Sequence, residues 1–212
     1  MVAARNEEER LGDTLAALRE AFPDARLIVA DDASTDRTPD IAREAGAEVV
    51  RSEKNVGKGG ANTPAAESAL SGDPQTVILC DGDLGSSAAA LAGLVGKADL
   101  AIAKFARRAG GGFGIALNSS RTIVERQTGR RLDAPLSGQR ALTAAALRTV
   151  LPFAPGFGME TAMNIDAIRA GLTVVEVELD LEHRATGRTL GGFIHRGRQL
   201  WDLARVERVS RR

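Results

Sequence analysis

Cysteine and aromatic residues are scarce in this sequence, and neither sign of charge dominates it. Cys80 is the single cysteine among 212 residues, which excludes a disulfide framework and a cysteine-based zinc knuckle. The 28 basic and 28 acidic residues cancel, so no global field draws the chain to nucleic acid. No stretch reaches the roughly 18 uncharged apolar residues of a membrane-spanning helix, and the first residues lack the apolar core of a signal peptide. We therefore expect a cytoplasmic globular protein without a nucleic-acid partner.

The chain has enough apolar material for a full core, since 43% of its residues are hydrophobic. Its length predicts one domain over residues 1–212. Charge is uneven at the end of the chain, because the segment from Arg184 to Arg212 holds eight arginines against Asp202 and Glu207. Such a segment can meet phosphate groups or the inner face of a membrane, but a solvated helix face is the simpler interpretation.

Short apolar runs alternate with stretches of helical periodicity along the chain. Leu11, Leu15 and Leu18 have the spacing of a helix face. The alternation predicts an α/β fold with three layers, α/β/α, around a mostly parallel central sheet. Strands are predicted at residues 2–4, 27–30, 48–50, 76–80, 100–102 and 173–177. Helices are predicted at 11–22, from the N-cap residues 34–36 to about 46, after 57–60, at 119–128, 143–151 and 159–170, and in the basic terminal segment. The first strand opens the sequence, so we expect a truncated or tightly packed amino terminus.

Polar residues follow three of the predicted strands, where an open parallel sheet binds its ligands. These clusters are Asn6-Glu7, Asp31-Asp32 and Asp81-Gly82-Asp83. One such acid alone would be read as a helix cap, but three clusters favour a shared site. The two carboxylates of Asp81-Gly82-Asp83 offer hard oxygen ligands that suit Mg or Mn, which would neutralise a diphosphate leaving group.

A glycine-rich loop at residues 55–61 carries Lys58 at a predicted helix start. It lacks the first glycine and the hydroxyl of a P-loop, which disfavours nucleotide hydrolysis of that type, although its lysine can contact a phosphate or sugar. A second glycine-rich stretch at residues 110–114 does not follow a clear strand, so a dinucleotide-binding fingerprint fails too.

In order, these motifs resemble the family-2 nucleotide-sugar glycosyltransferases, which have the GT-A fold. The matching stretches are residues 3–8, 29–36, 55–61, 79–84, 135–141 and 156–160. Within that group the sequence is similar to glucosyl-3-phosphoglycerate synthases and to polyprenyl-phosphate sugar transferases, which the motifs do not separate. The resemblance implies a nucleotide-binding half at about residues 1–103 and an acceptor half at about 104–212.

The resemblance also implies roles for individual donor-side residues. Ala4 and Glu7 would line the nucleotide pocket, and Asp32 would bind the base or ribose. Lys58 would approach the donor phosphate or sugar, and Asp81 would hold the ribose or sugar. A solvated Lys58 is the alternative for that residue.

Metal and acceptor roles follow from the same resemblance. Asp83 and His183 would bind Mg or Mn, although His183 fits a surface histidine as well. Arg121, Ser137, Gly138 and Arg188 would bind the acceptor, a phosphorylated small molecule or a polyprenyl phosphate. Residues beside Arg121 do not follow the family pattern closely, and the phosphoglycerate enzymes are longer at both ends, so the acceptor stays open.

Glu160 opens a predicted helix, where the helix dipole favours a negative charge. Facing the crevice, it would deprotonate an acceptor hydroxyl in an inverting reaction, or position the acceptor or sugar if configuration is retained or the acceptor is a phosphate.

We thus expect a metal-dependent transferase that takes its sugar from a nucleoside diphosphate, with UDP preferred over GDP. A sugar-phosphate nucleotidyltransferase is one alternative, but Asn6-Glu7-Glu8 is not the glycine- and arginine-containing loop it needs after the first strand. A non-catalytic nucleotide-sugar-binding domain is the other. Peripheral membrane contact and a homo-oligomer are both left open.

Overall fold

A seven-stranded sheet forms the centre of the computed structural model, which describes residues 1–106, 114–155 and 158–182. The strands are β1 (Val2–Ala4), β2 (Ile28–Asp31), β3 (Glu48–Arg51), β4 (Thr76–Asp81), β5 (Leu100–Phe105), β6 (Arg140–Thr143) and β7 (Val174–Leu179). Their order across the sheet is β3-β2-β1-β4-β6-β5-β7. Neighbours are parallel except β6, which runs antiparallel to both β4 and β5. The mostly parallel sheet is therefore confirmed.

Helices cover both faces of the sheet and enclose two apolar cores. The helices are α1 (Leu11–Ala21), α2 (Thr38–Glu44), α3 (Lys58–Ser71), α4 (Gly114–Thr128), α5 (Ala144–Val150) and α6 (Met159–Arg169), with a 3₁₀ helix at Gly85–Leu94. On one face, Leu11 and Leu15 of α1 pack with Leu91 of the 3₁₀ helix. On the other, Leu147 of α5 and Met163 of α6 join a second cluster. The three-layer α/β/α arrangement follows.

Parallel pairing brings the ends of the first strands together at one edge. Ala4 pairs with Asp31, and Ala3 pairs with Asp81. Because β1 lies between β2 and β4, the residues that follow all three strands emerge side by side. This edge is where the sequence predicts the site.

The structure agrees with one predicted helix start and corrects the predicted elements in three places. Helix α2 agrees with its prediction, since it begins at Thr38, directly after the residues predicted to cap it, and Asp36 Oδ1 accepts from the Thr38 amide. Helix α4 begins five residues earlier than predicted. The sequence pattern also misses the 3₁₀ helix and β6, whose first residue, Arg140, is 1% exposed.

Some predictions fall outside the described residues. These are His183, Arg188, the basic terminal helix and the loop at residues 110–113. Among the residues that are described, no helix is long and apolar enough to cross a membrane.

Candidate active site

Lys58 lies at the centre of the polar group at the strand ends. Its Nζ is 2.6 Å from Asp81 Oδ1 and 2.9 Å from Glu160 Oε1. The Lys58 side chain is 24% exposed and that of Glu160 only 8%. Lys58, Asp81 and Glu160, all predicted site residues, thus form one ion-paired group, although they come from α3, β4 and α6. The solvated alternative for Lys58 is wrong.

The two carboxylates set the charge of this lysine. Burial by itself would lower the pKa of Lys58, but the charges and hydrogen bonds of Asp81 and Glu160 outweigh it and raise that pKa above its usual value. The ammonium form therefore persists at neutral pH. It offers a fixed positive charge, not a general base.

Close backbone packing fixes the start of α3, on which Lys58 lies. Gly57 precedes the helix with a φ of 80°, in the left-handed region that favours glycine. A Cβ on Gly59 would overlap the carbonyl oxygen of Ala154 and lie 2.9 Å from its carbonyl carbon. Only a glycine lets this turn approach so closely, and the approach joins α3 to the segment that leads into α6.

The loop before β6 presses against the same ion pair. A Cβ on Gly138 would meet Lys58 Nζ and lie 2.8 Å from Asp81 Oδ2. Gln139 donates from Nε2 to Asp81 Oδ2 at 3.1 Å. Its Oε1 is buried and has no hydrogen-bond partner within the described ranges. The sequence prediction named Gly138 and missed Gln139.

A buried arginine, also missed, shapes this loop. Arg140 donates to the carbonyl oxygens of Ser137 (2.7 Å) and Pro135 (3.0 Å), and to Asn164 Oδ1 (2.7 Å). Asn164 in turn donates to Pro135 O at 2.9 Å, one helical turn after Glu160. Arg140 therefore connects the loop that carries Gly138 with the helix that carries Glu160.

The predicted nucleotide side lies around the turn after β4. A Cβ on Gly82 would be 3.4 Å from that of Ala4 and 3.5 Å from that of Glu7. The Glu7 amide donates to Thr38 Oγ1 at 2.8 Å. Ala4 and Glu7 are thus adjacent to the turn that carries Asp83.

Asp32 has a structural role that the sequence analysis did not foresee. Its two oxygens accept hydrogen bonds from the amides of Val56 (2.7 Å) and Gly57 (3.0 Å). Asp31, fully buried, accepts from the Ser34 amide at 3.1 Å and lies 3.4 Å from Arg51 Nη1. The Asp31-Asp32 pair therefore ties the loop before Lys58 to the end of β2, while the nucleotide contact of Asp32 stays a prediction.

Arg121 lies on α4, where its guanidinium holds a loop. Its Nε and Nη2 both donate to the carbonyl oxygen of Asp133, at 3.2 and 2.5 Å. Ser137 lies in the same loop, and its amide donates to Ala134 O at 3.0 Å. The acceptor roles of Arg121 and Ser137 stay predictions.

A model of a known protein family matches residues 1–150, and its description is glycosyl transferase family 2. This chain belongs to that family. Membership favours a glycosyltransferase over the nucleotidyltransferase alternative, and it agrees with the motifs that follow β1, β2 and β4.

Relatives of this glycosyltransferase differ in their acceptors. It is 29% identical over 215 residues to undecaprenyl-phosphate mannosyltransferase from Micrococcus luteus, covering 92% of this chain and 88% of the relative. It is also similar to glucosyl-3-phosphoglycerate synthase from Mycobacterium tuberculosis in complex with phosphoglyceric acid, with a TM-score of 0.76 and 26% identity over 97% of this chain and 78% of that one. The same enzyme in complex with Mn²⁺, UDP-glucose and glycerol 3-phosphate matches with the same scores and coverage.

The acidic residues of the glycosyltransferase suit a divalent cation in part. Asp83 brings a carboxylate, the hard oxygen donor that Mg²⁺ and Mn²⁺ prefer. Within the described residues, no three histidine, cysteine, aspartate or glutamate side chains are grouped to hold a metal by themselves. Asp83 thus fits as one ligand beside oxygens of a bound diphosphate, and His183 lies outside the described residues.

One cavity of about 400 Å³ lies elsewhere in the glycosyltransferase, around the starts of β2 and β4. Apolar side chains such as Leu18, Phe22, Ile28 and Val77 line it. None of the predicted site residues does, so the cavity is separate from the candidate active site.

Proposed function

We propose that the protein transfers a sugar from a nucleoside diphosphate, preferably UDP, to a phosphorylated acceptor, with Mg²⁺ or Mn²⁺ as cofactor. The observation that carries this proposal is the Lys58 ammonium bridging Asp81 and Glu160 at the strand ends. Lys58 offsets part of the negative charge of these carboxylates at the edge where a diphosphate donor would bind, and a divalent cation would offset the rest. The Mn²⁺ and UDP-glucose bound to the phosphoglycerate synthase support the same choice of ligands.

Donor binding is assigned to the parallel strands. Ala4, Glu7 and Asp32 hold the nucleoside, and Asp81 orients the ribose or sugar through a carboxylate already fixed by Lys58. Asp83 and His183 would hold the metal, which would offset charge on the departing diphosphate. Lys58 stays protonated and offsets charge on Asp81 and Glu160 throughout the reaction.

We assign to Glu160, first, the role of positioning the Lys58 ammonium group. One of its oxygens is engaged by Lys58, and the side chain is nearly buried. A carboxylate held in this way keeps the ammonium pointed at the donor. If the acceptor presents a hydroxyl in an inverting reaction, the other oxygen of Glu160 would accept its proton.

The acceptor is assigned to the loop before β6. Gly138 lets the backbone of this loop pack directly against Lys58 and Asp81, where a Cβ would collide with both side chains. Ser137, Arg121 and Arg188 are the candidate contacts for an acceptor phosphate. Both relatives support a phosphorylated acceptor, one soluble and one lipid-linked.

The experiment combines binding and transfer. Calorimetry with UDP-glucose and GDP-mannose, each with and without Mn²⁺, identifies the donor. Asp83→Asn should weaken Mn²⁺-dependent binding about tenfold or more, whereas the exposed control Asp13→Asn should not. Absence of metal-dependent nucleotide-sugar binding to the unaltered protein would overturn the proposal.

Transfer of labelled sugar is then measured to 3-phosphoglycerate and to undecaprenyl phosphate in detergent. Formation of a labelled product with one of the two acceptors identifies the acceptor class. Donor hydrolysis alone, with neither acceptor consumed, would remove the phosphorylated acceptor from the proposal.

A further inference from the structure

Helix α1 holds the turn after β4 through a buried hydroxyl. Thr14 is fully buried, and its Oγ1 donates to the carbonyl oxygen of Gly82 at 2.8 Å. The same oxygen accepts a hydrogen bond from the amide of Gly85, also at 2.8 Å. One side chain therefore contacts the backbone on both sides of Asp83.

Two more contacts complete the arrangement. Arg10, the residue before α1, donates from Nη1 to the carbonyl oxygen of Asp83 at 3.0 Å. The Gly82 amide donates to Ala3 O in β1 at 2.9 Å. The backbone of Gly82, Asp83 and Gly85 is thus bound from outside the turn at four points.

Thr14 has a simpler local option. A threonine in a helix often bonds only the carbonyl four residues earlier, and Arg10 O lies 3.2 Å from its hydroxyl. The contact with Gly82 O is shorter, so the main hydrogen bond of the hydroxyl is to the turn after β4. A buried hydroxyl that joins two backbone groups 68 and 71 residues away in the chain is costly to leave unsatisfied.

We infer that Thr14 and Arg10 are positioning residues for Asp83, and that they fix the turn for the metal-bound diphosphate of the donor. The inference rests on the proposed function. Groups that orient a metal ligand typically change metal affinity or activity by about 10- to 100-fold when they are removed. Because the turn is already ordered, little conformational freedom is lost when metal and diphosphate bind.

The test compares Thr14→Val, which removes the hydroxyl but keeps the shape, with Thr14→Ser, which keeps the hydroxyl. Calorimetry measures binding of UDP with Mn²⁺ and of UDP alone. Thr14→Val should weaken Mn²⁺-dependent binding about tenfold and change metal-free binding far less, while Thr14→Ser stays near the unaltered protein. Thermal unfolding confirms that each variant is folded.

Arg10→Gln provides a second variant, because this half-exposed side chain contributes little to the core. It should weaken Mn²⁺-dependent binding in the same direction by a smaller factor. Equal loss of metal-dependent and metal-free binding, or no loss in either Thr14→Val or Arg10→Gln, would overturn the inference. Failure of the unaltered protein to bind UDP with Mn²⁺ would overturn the proposed function itself, and this inference with it.

Discussion

The two sides of the candidate site hold their polar groups in different ways. On the nucleotide side, within residues 1–106, Asp32 accepts from two backbone amides and the hydroxyl of Thr14 joins a carbonyl to an amide. On the acceptor side, within residues 114–182, a single buried guanidinium holds the Pro135 and Ser137 carbonyls and Asn164. The nucleotide side is held by uncharged and acidic groups bound to the backbone, while the inner end of the loop before β6 is held by the one buried charge of Arg140, with Arg121 and Glu176 binding the outer end.

Burial of the Arg140 guanidinium is energetically unfavourable. Burial lowers the pKa of Arg140 to about 10, against the opposing charges of Glu160 and Glu176. The guanidinium is still protonated at neutral pH, but its hydrogen bonds here go to neutral oxygens and to the Met163 sulfur. A buried ion is favourable only while those bonds are made. We therefore expect the acceptor side to be the more sensitive to substitution.

The largest effect should come from Arg140→Met, compared with Asp32→Asn. The arginine variant leaves the Ser137 carbonyl and Asn164 Oδ1 without this donor, while Pro135 O keeps its bond from Asn164, so it should lower the free energy of unfolding by about 2–4 kcal/mol. Asp32→Asn keeps one acceptor oxygen and should cost about 1 kcal/mol. Urea denaturation measures both values. Equal losses would mean that the two sides are equally robust.

Lys58 lies where the two sides meet, and Lys58→Met should have the next largest effect on stability. It leaves the carboxylates of Asp81 and Glu160 close together without a cation, at a cost of about 2 kcal/mol, and transfer should fall by about 100-fold. In the double variant Lys58→Met/Glu160→Gln, stability should recover while activity stays low. Urea denaturation and kcat give the two readouts, and recovery of activity would show that Lys58 acts only to neutralise Glu160.

The smallest effect concerns Cys80, which lies in β4 on the nucleotide side. Burial raises the pKa of its thiol to about 12. A raised pKa in the folded protein contributes stability below the unfolded value of about 8.5, and this contribution is lost as pH rises toward 12. Between pH 8.5 and 10, unfolding free energy should therefore fall more steeply in the unaltered protein than in Cys80→Ala. Matching slopes would contradict the assignment.

The sequence predicted the nucleotide side better than the acceptor side for a physical reason. An acid directly after an apolar run is a local pattern, so Asp31-Asp32 and Asp81-Gly82-Asp83 were visible, and the strands before them were predicted nearly to the residue. Lys58 was visible in its glycine-rich loop, Gly138 came from the family resemblance, and the structure brings both together with Glu160.

What the sequence did not reveal depends on contacts between distant segments. Arg140 bonds Asn164, 24 residues away, and Thr14 bonds Gly82, 68 residues away. In a chain whose 28 basic residues include only four lysines, one more arginine is not distinctive. The available signal was weak: Arg140 stands directly before the apolar pair Ala141-Leu142, where a solvated charge is unexpected.

Strand β6 has a consequence for engineering. It alone joins β4 to β5 in the described sheet, pairing Leu79 with Arg140 on one side and Ile102 with Arg140 on the other. A chimera designed to change acceptor cannot be cut at residue 106, because the graft would then bring its own β6 to a foreign β4. The junction belongs after Thr143, so that the native β4-β6-β5 pairing is kept intact. Within the described residues, the exchanged part then comprises α5, α6 and β7, and β7 is the strand of the graft that must pair with the native β5.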